Sequence, residues 1–296
     1  MPVIISRSIS AFEKLKKAEL ISTVNQEYPN ASGVLKVAIV NLMPTKIDTE
    51  YQLLSLLGDT SYDVAVTLVR MESHDSKNVE GEYLTRNYQT IDQINDQRFD
   101  GLIVTGAPVE KLDFESVDYW DELIRIFKWA DSHVNSTLYL CWAAQAGLWH
   151  KYGVPKYLLD KKKFGVFRHS LVNSQYDIVK GFEKVFFAPH SRYTEILKED
   201  VSKVNDLEIV AESPDAGLHM LVSKDGRQIF ITGHPEYAPE TLKNEYERDL
   251  AKGLTISIPQ NYFKEDNAKN SIAIDWNGHA KLLHSNWLDI LEKLKT

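Results

Sequence analysis

The chain has 296 residues, 43% of them hydrophobic, one cysteine, and 34 Lys plus Arg against 42 Asp plus Glu, for a net charge of −8. That charge leaves no broad electrostatic basis for holding nucleic acid or an anionic membrane, and no run approaches the roughly 20 apolar residues that a spanning helix needs. A single cysteine cannot form an internal disulfide, and the helical His and carboxylate pairings of a metal site are missing, so a globular protein of the reducing cytoplasm with no metal is expected.

Residues 1–33 read as an N-terminal arm: Val3-Ile4-Ile5 is too brief for a signal-peptide core, and Ser10-x-x-Glu13 opens a Lys-rich helical pattern. Residues 34–296 read as a single α/β domain. Val34-Leu-Lys-Val-Ala-Ile-Val-Asn-Leu42 has the near-continuous branched apolar character of a strand covered on both faces, and Pro44 stops it. A helix over 45–57 and a second strand over 64–70 continue the alternation of a parallel sheet. A polar stretch over 72–100 with a helical middle leads into a third buried strand, Gly101-Leu-Ile-Val-Thr105, ending at Gly106-Ala-Pro108. Its composition permits closure over a site.

Helical spacing of Trp120, Leu123, Ile124 and Phe127 predicts a helix over 117–133, before a fourth strand at Thr137-Leu-Tyr-Leu140. Shorter strands at 164–167, 184–187, 207–210 and 228–231 follow, some of them antiparallel, then a helix over 239–252. A closing helix carries Leu283, Trp287, Ile290 and Leu294 inward. With no repeat and no Gly/Ser linker, the expected architecture is a doubly wound, mostly parallel sheet with an elaborated edge.

In such sheets functional groups collect at the carboxyl ends of strands. Cys141 follows the fourth strand directly and opens Trp142-Ala-Ala-Gln-Ala-Gly147, a strand turning sharply into a closely packed helix. Amides at that helix N-terminus, Trp142 among them, can stabilise both a thiolate and an adjacent oxyanion. An isolated cysteine is more commonly a small buried hydrophobe. Gly233-His234-Pro235-Glu236 tips the balance, because it stands at the end of another strand and supplies a base and a carboxylate that can orient it. Residue patterns alone stop at a cysteine nucleophile in an α/β sheet, which leaves several enzyme classes open.

Several long motifs narrow the choice. Asn41-Leu-Met-Pro-Thr-Lys-Ile-Asp-Thr-Glu50, His74-Asp-Ser-Lys-Asn78, Phe99-Asp-Gly-Leu-Ile-Val-Thr-Gly-Ala-Pro-Val-Glu110 and Cys141-Trp-Ala-Ala-Gln-Ala146 fall in register with Ala188-Pro-His-Ser-Arg-Tyr193, Gly233-His-Pro-Glu-Tyr237, Asn261-Tyr-Phe263 and His279-Ala-Lys-Leu-Leu283. Together they resemble the signature segments of homoserine O-acyltransferases of the succinyltransferase-like family, over nearly the whole chain. The resemblance implies a flavodoxin-like fold related to class I glutamine amidotransferases. It also implies Cys141 as the acylated nucleophile, His234 as general base and Glu236 as its support, with Lys162, Ser191 and Arg248 contacting L-homoserine.

No cofactor is implied: the acyl-CoA is a substrate, and Glu110, in place of the Gly of succinyl users, points to acetyl-CoA. A homodimer is the family expectation. Lys46, in the turn after the first strand, and Trp142 are candidates for the oxyanion hole. At Trp276-Asn-Gly-His279 the chain departs from relatives that carry Arg after the Trp.

Read by pattern alone, Lys162 belongs to a solvated Lys161-Lys-Lys163 turn, Glu110 to a solvated loop, and Ser191 is an ordinary loop serine. Arg248 lies opposite an apolar stripe of Leu242, Tyr246 and Leu250. A glutamine amidotransferase or amidase is the first rival. Against it, Leu140 and Trp142-Ala143 flank the cysteine where those enzymes commonly have glycines. A non-catalytic flavodoxin-like binding protein is the second.

Overall fold

The computed structural model describes residues 3–22, 33–74, 79–273 and 275–295. Residues 23–32 of the N-terminal arm and 75–78 of the His74–Asn78 motif lie outside the described residues. In chain order the first half contains β1 (Val3–Ile4), α1 (Phe12–Lys17), β2 (Ile21–Ser22), β3 (Leu35–Val40), α2 (Lys46–Gly58), β4 (Val64–Val69), α3 (Gly81–Asn87), β5 (Tyr88–Gln89), α4 (Ile91–Ile94), β6 (Phe99–Val104), α5 (Trp120–His133) and β7 (Val134–Leu140). The second half contains α6 (Trp142–Tyr152), β8 (Tyr157–Leu171), β9 (Val185–Glu195), α7 (Lys198–Val201), β10 (Leu207–Ser213), β11 (Gly217–Ser223), β12 (Gln228–Ile231), α8 (Thr241–Ala251) and α9 (Asn277–Leu294).

One sheet joins all twelve strands in the order β2-β1-β4-β3-β6-β7-β12-β11-β10-β8-β9, with β5 beside β4. Neighbours from β2 to β12 run parallel; those from β12 to β9 run antiparallel. The segment read as an arm thus contributes two short strands to the parallel side.

The branched apolar runs form the centre because both their faces are covered. Leu35, Val37 and Ile39 of β3 turn toward α2 and α9, which contribute Leu53, Leu57 and Trp287 to that layer. Ala38 and Val40 turn the other way, toward Leu123 and Phe127 of α5 and the small residues of α6. Among the described residues, no helix is long and apolar enough to cross a membrane.

The antiparallel side departs from expectation. The short strand at 164–167 is the middle of the 15-residue β8, and β9 runs for 11 residues where four were expected. Most of the outer reach of β8 is exposed, and the far half of β9 buries His190, Arg192 and Thr194, so apolar patterning marked only part of each strand. β11 went unread because a buried His219 interrupts its apolar run.

β8 also holds the C-terminal segment. Val166 N–H donates to Gln260 O, and Gln260 N–H donates to Phe164 O, both at 2.9 Å. Between them Gly165 has φ +147°, and a Cβ there would sit 2.3 Å from Gln260 O. Gly165→Ala therefore meets backbone on one side and an unfavourable dihedral on the other. It should cost about 3 kcal/mol, read as a lower urea midpoint with an unchanged slope.

Candidate active site

β7 ends in Leu140, which pairs with Ile231 at the end of β12, so the loops leaving these two strands start side by side. Cys141 continues the pairing, with its N–H on Ile231 O at 2.7 Å. The chain then turns abruptly: Cys141 has φ 50° and ψ −114°, and α6 begins at the next residue. A non-glycine residue held at positive φ stores strain that only a well-fixed surrounding sustains. Ala143, Ala144 and Ala146 supply it by letting α6 lie close on the sheet, each fully buried. Cys141 O accepts from the Ala144 and Gln145 amides at 3.1 and 3.3 Å, and the Trp142 and Ala143 amides open the helix with no intrahelical acceptor.

The loop after β6 closes over this turn. A Cβ on Gly106 would lie 3.1 Å from Cys141 Cβ, 3.5 Å from His234 Cε1 and 3.7 Å from Cys141 Sγ. Any larger residue would fill the space beside the thiol. Gly106 escaped sequence reasoning, since it read as the end of a strand.

From β12 the chain passes through Gly233 to His234, whose N–H donates to Pro189 O of β9 at 2.9 Å. His234 Nδ1 meets Glu236 Oε1 at 2.7 Å, and both side chains are 3% exposed. The imidazole and the thiol share the space beside Gly106, where a Cβ would lie 3.5 Å from His234 Cε1 and 3.7 Å from Cys141 Sγ. Burial alone would keep the ring neutral, but negative charge on Cys141 and then on Glu236, with the hydrogen bond to Glu236, raises its pKa well above the usual histidine value. That shift favours the protonated ring, and Glu236 fixes which nitrogen faces the thiol. Tyr237 stacks on the ring at 4.1 Å between centroids.

Lys162, Ser191 and Arg248 converge on one carboxylate. Glu245 Oε1 lies 2.5 Å from Lys162 Nζ, accepts from Ser191 Oγ at 2.7 Å and is 3.8 Å from an Arg248 nitrogen. Asp249 completes the group, 2.7 Å from Arg248 and 3.9 Å from Lys162. β9 joins this cluster to the base of the nucleophile, since Ser191, which donates to Glu245, stands two residues from Pro189, whose O accepts from His234 N–H. The expected apolar stripe on α8 does not form, because Leu250 is exposed while Asp249 is buried. The inner face of α8 meets a charged site, so hydrophobic periodicity pointed away from it, and Glu245 and Asp249 were missed.

Other sequence candidates fall nearby in different ways. Glu110 is half-buried, in a turn pinned by Lys156, whose Nζ donates to Glu110 O and Leu112 O, both at 2.7 Å. Lys111, next to it, places Nζ 3.7 Å from the centre of the Tyr193 ring, two residues from Ser191. Trp142 is buried against Phe114 and Tyr119, leaving its backbone at the mouth of α6.

Lys46 sends Nζ to Asn41 O at 2.5 Å, and burial chiefly lowers its pKa to about 8 against the opposing pull of Glu50. Its ammonium serves the Asn41 turn.

Among the described residues one group could share a metal: His169, His190 and His219, with ligand atoms within 4.8 Å of one another. Its hydrogen bonds oppose that use. Arg192 Nε donates to His190 Nδ1 at 3.4 Å, which leaves the His190 proton on Nε2, directed at His169 Nε2 3.0 Å away. No carboxylate belongs to the group, and the buried guanidinium repels a cation.

These positions match known proteins from end to end. The homoserine O-succinyltransferase family matches residues 2–295. A homoserine O-acetyltransferase of Phocaeicola vulgatus is 48% identical over 291 residues, covering 98% of this chain and 95% of that protein. One from Bacillus mycoides is 49% identical over 290 residues, covering 98% and 96%. Among solved structures, a glutamine amidotransferase from Thermotoga maritima superposes with a TM-score of 0.57 at 10% identity, over 88% of this chain and 99% of that one. The last likeness fixes the class I glutamine amidotransferase-like fold. With a family match that spans every segment carrying the site, the chain belongs to the homoserine O-succinyltransferase family.

Proposed function

We propose that the chain transfers an acetyl group from acetyl-CoA to the hydroxyl of L-homoserine through an acyl-enzyme on Cys141, giving O-acetyl-L-homoserine for methionine biosynthesis. The observation that carries this reading is the union of two devices in one site: the Cys141–His234–Glu236 set, and a charged cluster suited to an amino acid, joined along β9 from Pro189 to Ser191. The names of relatives at 48% and 49% identity support acetyl as the donor's group.

In the first half-reaction Cys141 Sγ attacks the thioester carbonyl, and the oxyanion collects on amides at the start of α6 and in the Gly106 loop. Collapse breaks the bond to CoA sulfur, and His234 returns its proton to the departing thiolate. Homoserine then binds with its carboxylate toward Arg248 and Lys162 and its ammonium toward Glu245, replacing their mutual contacts. His234 takes the hydroxyl proton, the oxygen attacks the acyl carbonyl, and Cys141 leaves as thiolate. Exchange of one thioester for another is nearly isoenergetic, so orientation and the oxyanion hole suffice.

Glu110 accounts for donor choice. A succinyl carboxylate about 4 Å from it, at an effective dielectric near 20, is repelled by roughly 4 kcal/mol, on the order of a thousandfold. Homoserine-dependent CoA release should favour acetyl-CoA in the natural chain, and Glu110→Gly should admit succinyl-CoA. A natural chain preferring succinyl-CoA would remove the donor assignment. Silence with both donors, together with ammonia release from glutamine, would establish the amidase reading instead.

A further inference from the structure

The loop after β6 starts beside the thiol at Gly106 and then reaches Glu110, in a turn that Leu112 N–H closes on Val109 O at 3.0 Å. Among the described residues no hydrogen bond or ion pair holds the Glu110 carboxylate, so the backbone of this turn decides where that charge stands. Contacts from outside the loop hold the backbone in turn. Lys156, half-buried between α6 and β8, donates from Nζ to Glu110 O and Leu112 O, both at 2.7 Å, and its ammonium lies 4.9 Å from the centre of the Phe114 ring. Phe114 is buried, stacked on Trp149 of α6 and tilted against Trp142, each with ring centroids 6.0 Å away. On the far side Lys111 Nζ sits 3.7 Å over the Tyr193 ring, with Lys162 Nζ 5.7 Å from the same ring. The turn is thus slung between the nucleophile's helix and the acceptor cluster, and Lys156 grips the carbonyl of Glu110 itself. Bonds from an ammonium to carbonyls are charge-assisted, and two carbonyls of one turn face one cation only while the turn keeps its tight form.

We propose that Lys156 is a positioning residue for donor choice: by holding the carbonyls of Glu110 and Leu112 together, it keeps the Glu110 carboxylate where a succinyl tail would have to lie. The inference rests on the acetyl-transfer reading and on Glu110 as its donor selector. Coulomb repulsion falls as the inverse of separation, so a relaxation that doubles a distance of about 4 Å cuts a discrimination of about a thousandfold to about thirtyfold. An acetyl group brings no charge and is indifferent to the move. A direct electrostatic role for Lys156 has the opposite sign: a cation near the tail attracts succinyl, and removing it would sharpen the preference for acetyl.

The test is the ratio of kcat/KM for acetyl-CoA to that for succinyl-CoA, read from homoserine-dependent CoA release. It would be measured in the natural chain, in Lys156→Met and Lys156→Arg, and in each of these combined with Glu110→Gly. Lys156→Met keeps the stem without the donors and should lower the ratio by about tenfold or more, through a gain with succinyl-CoA rather than a loss with acetyl-CoA. Lys156→Arg keeps charge and donors and should hold the ratio within about threefold of the natural one. In the Glu110→Gly background the Met substitution should leave the ratio unchanged, because the charge it displaces is gone. KM for homoserine should not move.

A folded Met variant whose ratio is unchanged or higher would overturn the proposal, and so would a parallel loss with both donors, which is what a merely structural tie produces. Should that variant fail to fold, Lys156→Gln, whose shorter amide cannot span both carbonyls, is judged on the same ratio. If Glu110→Gly itself leaves the natural ratio intact, the donor reading falls and takes the inference with it. A Glu110 effect without a Lys156 effect strikes the inference alone.

Discussion

Cys141→Ala is expected to remove homoserine-dependent CoA release by a factor on the order of 10,000 or more, because the acyl-enzyme has no second thiol on which to form. Both residues carry a Cβ, so the strained φ of 50° at this position is no worse for alanine than for cysteine, and the protein should melt as before. Glu236→Gln is a finer probe. The amide keeps the shape but cannot stabilise the imidazolium and can present its N–H to Nδ1, inverting the tautomer. A loss of about a hundredfold to ten-thousandfold in kcat, with KM for both substrates nearly unchanged, is the expected pattern. Residual turnover of the alanine variant above about one part in a hundred would end the covalent mechanism, since positioning alone accelerates far less than the full set.

Acid should unfold the protein steeply. His169, His190 and His219 are fully buried, and burial lowers their pKa values, to about 3 for His169 and well below 6.5 for the other two. Once the pH drops under 6.5 the unfolded chain takes up protons that the folded protein refuses, so stability is full above that value and lost as pH falls toward the folded values. Three such groups give a slope on the order of 4 kcal/mol per pH unit, enough to consume a typical domain's stability within a few units. His234 works the other way: its folded value is raised, so the stability it adds is full below about 6.5 and is lost only as pH rises. Urea midpoints between about pH 7 and 5 would measure the slope, and His219→Asn should remove about one third of what these three groups contribute, leaving the share of His284, which burial also lowers. A midpoint insensitive to pH across that interval would mean that the imidazoles are already charged in the fold.

Much of this was legible in the amino-acid order because the parallel half of the sheet obeys one rule: strands buried on both faces are continuously apolar. β3, β4, β6 and β7 announced themselves that way, and so did the two loops that bear Cys141 and His234. Lys162, Ser191 and Arg248 came from resemblance alone, as short-range patterns treat a lysine run and a loop serine as surface. Glu245 and Asp249 were hidden for a sharper reason: α8 buries charge, and any method that seeks a helix's inner face by its apolar residues will choose the wrong side. Arg192 and the three histidines sit on strands whose polar inward positions break the expected alternation.

The pairing of Leu140 with Ile231 also governs when the protein can become reactive. The thiol and its base meet only through a contact between strands far apart in sequence, and such contacts form late because the intervening chain must first be ordered. During synthesis Cys141 leaves the ribosome well before β12 exists. A nascent or truncated chain thus carries an ordinary thiol, without base or acceptor site, and acyl-CoA is safe from it. Completion of the fold is itself the activation step.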